Sequence, residues 1–137
     1  MIDRILNRTK VLEKTLDAGL ARNEAISNNI ANVDTPGYKR KSVEFEEMLS
    51  QAIDKNGIEG FRTDSRHIPI GTLDIDEVGI NVVVDKSSLS FRLDGNNVDI
   101  ENEMALMAKN TIQYNTITQK LSGEFKKLKS VISEGRR

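Results

Sequence analysis

Apolar residues recur along both ends of the chain in one repeating step. Near the N-terminus the positions are Ile2, Ile5, Thr9, Leu12, Leu16, Gly19, Asn23, Ile26, Ile30 and Val33, with intervals of three and four in strict alternation. Near the C-terminus Ile100, Met104, Met107, Thr111, Tyr114, Thr118, Leu121, Phe125, Leu128 and Ile132 follow the same rule. A mean spacing of 3.5 residues draws one narrow stripe along a helix, the seam of a coiled coil rather than the broad face of a globular helix. The pattern predicts a mainly α protein: two long terminal helices form a coiled-coil-like pair, with a small mixed insert between them. Each helix of roughly 33 residues is about 50 Å long at 1.5 Å per residue. That exceeds what a compact domain accommodates, since 100 residues give a radius of gyration of about 13 Å. The helices therefore project as a rod or pack against neighbouring subunits.

Local signals mark where the helices stop. Thr35-Pro36-Gly37-Tyr38 reads as a type II turn, with Pro36 fixing φ at its second position and Gly37 supplying positive φ at its third. The first helix must end near Asp34. Asp99 is placed to cap the second helix, with Glu101 and Glu103 in its first turn, Lys126, Lys127 and Lys129 towards its end, and Gly135 as a stop. The first helix carries an unusual load of weak helix formers: Gly19, Asn23, Asn28, Asn29 and Asn32. Asn23 on the seam is read as a register-setting hydrogen-bond partner across an interface.

The insert is expected to hold a short amphipathic helix over Phe45, Met48, Leu49, Ala52 and Ile53, ending near Asn56-Gly57. Two strands are expected, one over Ile80, Val82 and Val84 and one over Leu89, Phe91 and Leu93, before a turn at Asp94-Gly95. The chain thus divides into an N-terminal helix (residues 1–34), a turn and mixed insert (35–97), and a C-terminal helix (98–137).

Composition narrows the function. Twenty basic residues face 21 acidic ones, for a net charge near −1, which argues against recognition of nucleic acid through phosphate neutralisation. The chain has no cysteine, one histidine, no tryptophan and six aromatic residues. Thiolate chemistry and histidine-rich metal sites are excluded, and no cofactor is expected. No apolar run approaches the roughly 20 residues of a membrane span, and the charged N-terminus has no apolar core of a secretory signal.

Two local groupings suggest chemistry and fail on geometry. Asp64, Ser65 and His67 are hydrolase residue types, but triad members converge from separate elements rather than from one loop. Asp74-Ile75-Asp76-Glu77-Val78-Gly79 opens like a calcium loop but has Val78, Val82 and Asp85 where later ligands belong. The run Lys39-Arg40-Lys41 is read as a solvated face, with Glu44, Glu46 and Glu47 of a neighbour as the other option.

The string Ser27-Asn28-Asn29-Ile30-Ala31-Asn32-Val33-Asp34-Thr35-Pro36-Gly37-Tyr38 resembles the N-terminal signature of the bacterial flagellar axial proteins, the rod, hook and hook-associated family. The C-terminal half agrees: Asp94-Gly95-Asn96-Asn97-Val98-Asp99, then Glu103-Met104 and Gln113-Tyr114, resembles the segment that opens that family's last helix. The shortness of the insert, the Asp94–Asp99 string and the closing Leu121, Phe125, Leu128 pattern look most like the proximal rod members, while residues 54–88 carry no resemblance of their own. The resemblance implies a structural, non-enzymatic subunit of the basal-body rod, polymerising through its terminal helices into a tubular drive shaft. It also implies export through the flagellar type III system without a cleaved signal, and a place in the periplasmic space. The implied partners are other copies of the chain, other rod subunits, the rod-to-membrane-ring junction protein and the export gate, with no nucleic acid and no small-molecule substrate. On this reading the seam residues named above are subunit interface, and the ends gain order on assembly. A soluble coiled-coil adaptor or export chaperone, or the sister proximal rod protein, is the alternative.

Overall fold

The computed structural model describes residues 2–53, 78–85 and 93–134, with residues 2–7 described as helix backbone. In chain order the elements are helix α1 (Ile2–Ala31), strand β1 (Lys41–Glu44), helix α2 (Glu46–Ile53), strand β2 (Asn81–Val84) and helix α3 (Ile100–Glu134). At 1.5 Å per residue α1 is about 45 Å long and α3 about 52 Å. The mainly helical architecture with a small mixed insert is the one the two stripes predict.

The long helices pack against each other in an antiparallel hairpin. Asn29 meets Glu103, Asn23 meets Asn110, and Gly19 lies against Tyr114. Further along, Arg8 is close enough for its charge to act on Glu124. A Cβ at Gly19 would lie 3.3 Å from Tyr114 Cδ2, so the glycine lets the aromatic ring sit close to the α1 backbone.

The opposite side of α1 is covered by the insert. β1 and β2 form a two-stranded antiparallel sheet with Lys41 opposite Val84 and Glu44 opposite Asn81. The Asp85 N–H donates to Arg40 O at 2.8 Å and extends the pairing by one step. Phe45, Ala52 and Val78 are buried together with Ala18 of α1, and Val43, Met48, Leu49 and Ile80 pack around them. α1 closes this cluster, with Ala18 admitting the insert to close range. Lys14 Nζ donates to Val78 O at 3.1 Å, and Arg22 pairs with Glu46 at the start of α2. α1 is therefore a shared wall between α3 and the insert.

The expected β2 and α2 are present. The expected strand over Leu89 and Phe91, the α2 stop at Asn56-Gly57 and the stop at Gly135 lie outside the described residues. β1 was not foreseen. α1 ends at Ala31, three residues before Asp34, and the intervening residues are turn.

Candidate functional site

The two stretches that carry the family resemblance come together where α1 ends and α3 begins. Tyr38 N–H donates to Thr35 O at 3.2 Å and Gly37 has φ of 72°, closing the turn read from the sequence. Gly95 has φ of 79°, and a Cβ on it would lie 3.8 Å from Gly37 Cα. Two glycine turns are thus stacked back to back, tied by Gly37 N–H donating to Asp94 O at 2.9 Å.

Asparagines knit this junction. The Asn96 amide donates to the carbonyls of Asn32, Val33 and Thr35 at 3.0, 2.8 and 3.0 Å, bonding the turn that follows α1 from outside. Its Oδ1 accepts from Val98 N–H at 2.8 Å. Asn29 is fully buried: Nδ2 donates to Lys41 O and Glu103 Oε2 at 2.8 and 3.0 Å, while Oδ1 accepts from Lys41 N–H and the Tyr38 hydroxyl at 2.8 and 3.3 Å. Asn97 Oδ1 accepts from Arg40 N–H at 2.7 Å. Asp99 caps α3, accepting from Glu101 N–H at 3.0 Å and Asn102 N–H at 3.4 Å. Two of the asparagines that weaken α1 as an isolated helix attach it elsewhere, Asn23 to α3 and Asn29 to α3 and β1.

Glu103 sits at the centre with no accessible surface, accepting from Arg40 Nε and Asn29 Nδ2. Burial, and secondarily the Glu103 carboxylate, push the Tyr38 phenol above its ordinary pKa. The run Lys39-Arg40-Lys41 is not a solvated face. Lys39 Nζ donates to Gly95 O at 2.8 Å, Arg40 pairs with Glu103, and the Lys41 backbone binds Asn29. The Gly37 turn aims the run into the cleft between the end of α1 and the start of α3, where acceptors are waiting.

The stripe residues divide. On α1, Leu12, Leu16, Gly19, Asn23, Ile26, Ile30 and Val33 are buried or half-buried, on the side where Gly19 and Asn23 touch α3. The side chains of Ile2 and Ile5 lie outside the described residues. On α3, Met107, Tyr114, Leu121 and Leu128 are half-buried, and Glu103 and Asn110 on the same side are buried. Asn110 Nδ2 donates to Gly19 O at 2.9 Å and to Asn23 Oδ1 at 2.8 Å. The other heptad series of the stripe turns outward: Met104, Thr111, Thr118, Phe125 and Ile132 are exposed, with Met104 at 61%, Phe125 at 50% and Ile132 at 73%. Ile100, at the head of α3, is also exposed. A shallow groove of about 390 Å³ runs between Thr118, Leu121, Phe125 and Lys129 on this side.

Sequence reasoning missed Asn110, Arg40 and Asn96 as organising residues. A lone asparagine seven residues after Glu103 was the available signal for Asn110. Asp64, Ser65, His67 and Asp74–Glu77 lie outside the described residues. Among the described residues no group of three histidine, cysteine or acidic side chains could hold a metal, and no helix is long and apolar enough to cross a membrane.

A long hairpin with a bonded junction at one end and an uncovered apolar series along one side has the build of a structural subunit made for lateral packing. Comparisons with known proteins agree. The family of the flagella basal body rod protein matches residues 10–39. A flagellar basal body rod protein FlgB of Bacillus subtilis is 35% identical over 125 residues, covering 91% of this chain and 92% of the relative. The FlgB proteins of Yersinia enterocolitica and Escherichia coli are 30% and 28% identical, each over 98% of this chain. The chain belongs to the FlgB family of flagellar basal body rod proteins and is a structural subunit of the rod.

Proposed function

We propose that the subunit polymerises by seating the outward series of α3, Met104, Thr111, Thr118, Phe125 and Ile132 with Ile100 at its head, against neighbouring copies and related rod subunits. The remaining stripe residues, Leu12 to Val33 on α1 and Met107, Tyr114, Leu121 and Leu128 on α3, close the hairpin and hold that series in line. The observation that carries this reading is the heptad spacing of the exposed series on a helix whose other side is already covered. Side-by-side hairpins generate a tube wall able to transmit torque, and the work is mechanical rather than catalytic. The position in the periplasmic space, passage through the flagellar export system, and contact with the membrane-ring junction and export gate are parts of the same proposal, supported by the rod names of the relatives.

Phe125→Glu tests it. The side chain is half exposed and off the α1 side, so the melting temperature of the subunit should stay within the scatter of surface changes, about ±0.5 kcal/mol in stability. Rod assembly, scored by electron microscopy of basal bodies, and swimming in soft agar should be lost. Normal rods from this variant would remove the α3 surface from the assembly. A discrete small oligomer in sedimentation, with no polymer, would instead favour the adaptor reading.

A further inference from the structure

A second surface lies on a different side of α3, outside the outward series. A groove of about 280 Å³ is framed by α1, β1 and α3. Its floor includes Ile26 and Leu106, and its rim carries Arg22, Arg40, Lys41 and Lys109. Two of these charges are already matched, Arg22 by Glu46 and Arg40 by Glu103. The ammonium groups of Lys41 and Lys109 have no carboxylate within ion-pair distance among the described residues. Both ammonium groups are therefore available to a carboxylate from outside.

The same chain carries a complementary surface. At the head of α3, Asp99 and Glu101 are exposed on either side of Ile100, itself 42% exposed, and Met104 follows. Acid, apolar, acid answers base, apolar floor, base. Ile100 and Leu106 project about 120° apart around α3 at 3.6 residues per turn, so a molecule cannot fill its own groove with its own α3 head. Resting on the rod-subunit reading above, we propose that the groove receives the Asp99-Ile100-Glu101 segment of a second copy, Ile100 entering between Ile26 and Leu106 while Glu101 and Asp99 meet Lys109 and Lys41. Because groove and insert are different patches of one chain, the contact is heterologous and repeats without closing, as an axial polymer requires. The two contacts meet at Ile100: the series from Met104 to Ile132 holds neighbours laterally, and Ile100 with its flanking acids sets the order of copies.

The absence of native cysteine makes the test direct. Full-length chains carrying both Glu101→Cys and Lys109→Cys are oxidised in solution, beside chains carrying Glu101→Cys with Lys120→Cys as the mismatched pair and Thr111→Cys with Thr118→Cys as a pair within the outward series. The proposal expects a ladder of disulfide-linked multimers from 101/109 and not from 101/120. Independently, Lys109→Glu should weaken self-association about fivefold, the scale of an exposed ion pair, and mixing with Glu101→Lys chains should restore it. No ladder from 101/109 overturns the proposal. If the 111/118 pair still cross-links, the outward-series contact stands without it; if that pair fails too, both proposed contacts between copies fall. Capture of a different rod subunit, rather than a second copy, by Lys109→Cys in intact basal bodies also overturns it.

Discussion

Replacing Glu103 by glutamine removes one charge and no volume. The carboxylate has no accessible surface and accepts from Arg40 Nε and Asn29 Nδ2. An amide offers one acceptor oxygen where two are needed, and its NH₂ group must face another donor. Arg40, with its side chain 27% exposed, would keep its charge without a partner. Losing one member of a buried pair typically costs 3–5 kcal/mol; the partial exposure of Arg40 lowers the expectation here to about 2–3 kcal/mol. With a urea slope of about 1.5 kcal/mol per molar, the unfolding midpoint should fall by about 1.3–2 M. Urea titration followed by circular dichroism and by tyrosine emission measures it, since Tyr38 contacts this cluster. The companion variant, Glu103→Leu with Arg40→Met, should recover only part of the loss, because a buried ion pair replaced by packed apolar side chains is close to neutral while the buried Asn29 amide still loses an acceptor. A loss below about 1 kcal/mol for Glu103→Gln, against this scale, would refute the view that the charge pair and its asparagine hold the junction together.

Three further outcomes are expected. Gly37 has φ of 72° with open space where a Cβ would go, so Gly37→Val acts through backbone strain alone; it should cost about 1–3 kcal/mol in thermal unfolding and impair motility while leaving export normal. The raised pKa of Tyr38 means that the folded state holds its phenolic proton longer than the unfolded chain does, so stability is intact below about pH 10 and declines as pH rises through the folded value; alkaline titration of the melting temperature checks this, and Tyr38→Phe should flatten the decline. Hydrogen exchange on the dilute monomer should protect amides around Gly19–Ile30 and Glu103–Tyr114, where the hairpin is cross-linked by polar pairs, and exchange faster in α3 beyond Leu121; uniform protection along both helices would contradict a hairpin that completes its order on assembly.

Much of this architecture was readable from residue spacing. The stripes placed both long helices, Pro36-Gly37 placed the turn, Asp99 placed the cap, and the FlgB-type strings lie at one structural junction. Periodicity, however, gives a stripe without saying what covers it. On α3 the series Met107, Tyr114, Leu121 and Leu128 completes one seam with Met104, Thr111, Thr118, Phe125 and Ile132, and another with Glu103, Asn110, Ile117 and Glu124. The apolar count favours the first; the hairpin uses the second, because Glu103 and Asn110 have bonded partners on α1 and, for Glu103, at Arg40 just before β1. The second face of α1 was hidden for a similar reason. Ala18 is small, and its burial depends on Phe45 and Val78, which lie far away in sequence. β1 was missed because Lys-Ser-Val-Glu has little apolar character and finds its partner strand some forty residues later.

The polar pairs that fasten α1 to α3 also decide how the hairpin behaves under mechanical shear. Two greasy helices can creep along each other by a whole heptad, since one leucine replaces another at little loss. Here such a slip would set the Asn110 amide against Leu16 or Ile30 and strip Glu103 of Asn29. The hairpin is therefore keyed rather than lubricated, and a twisting force entering along α3 must travel across into α1 instead of being dissipated as sliding.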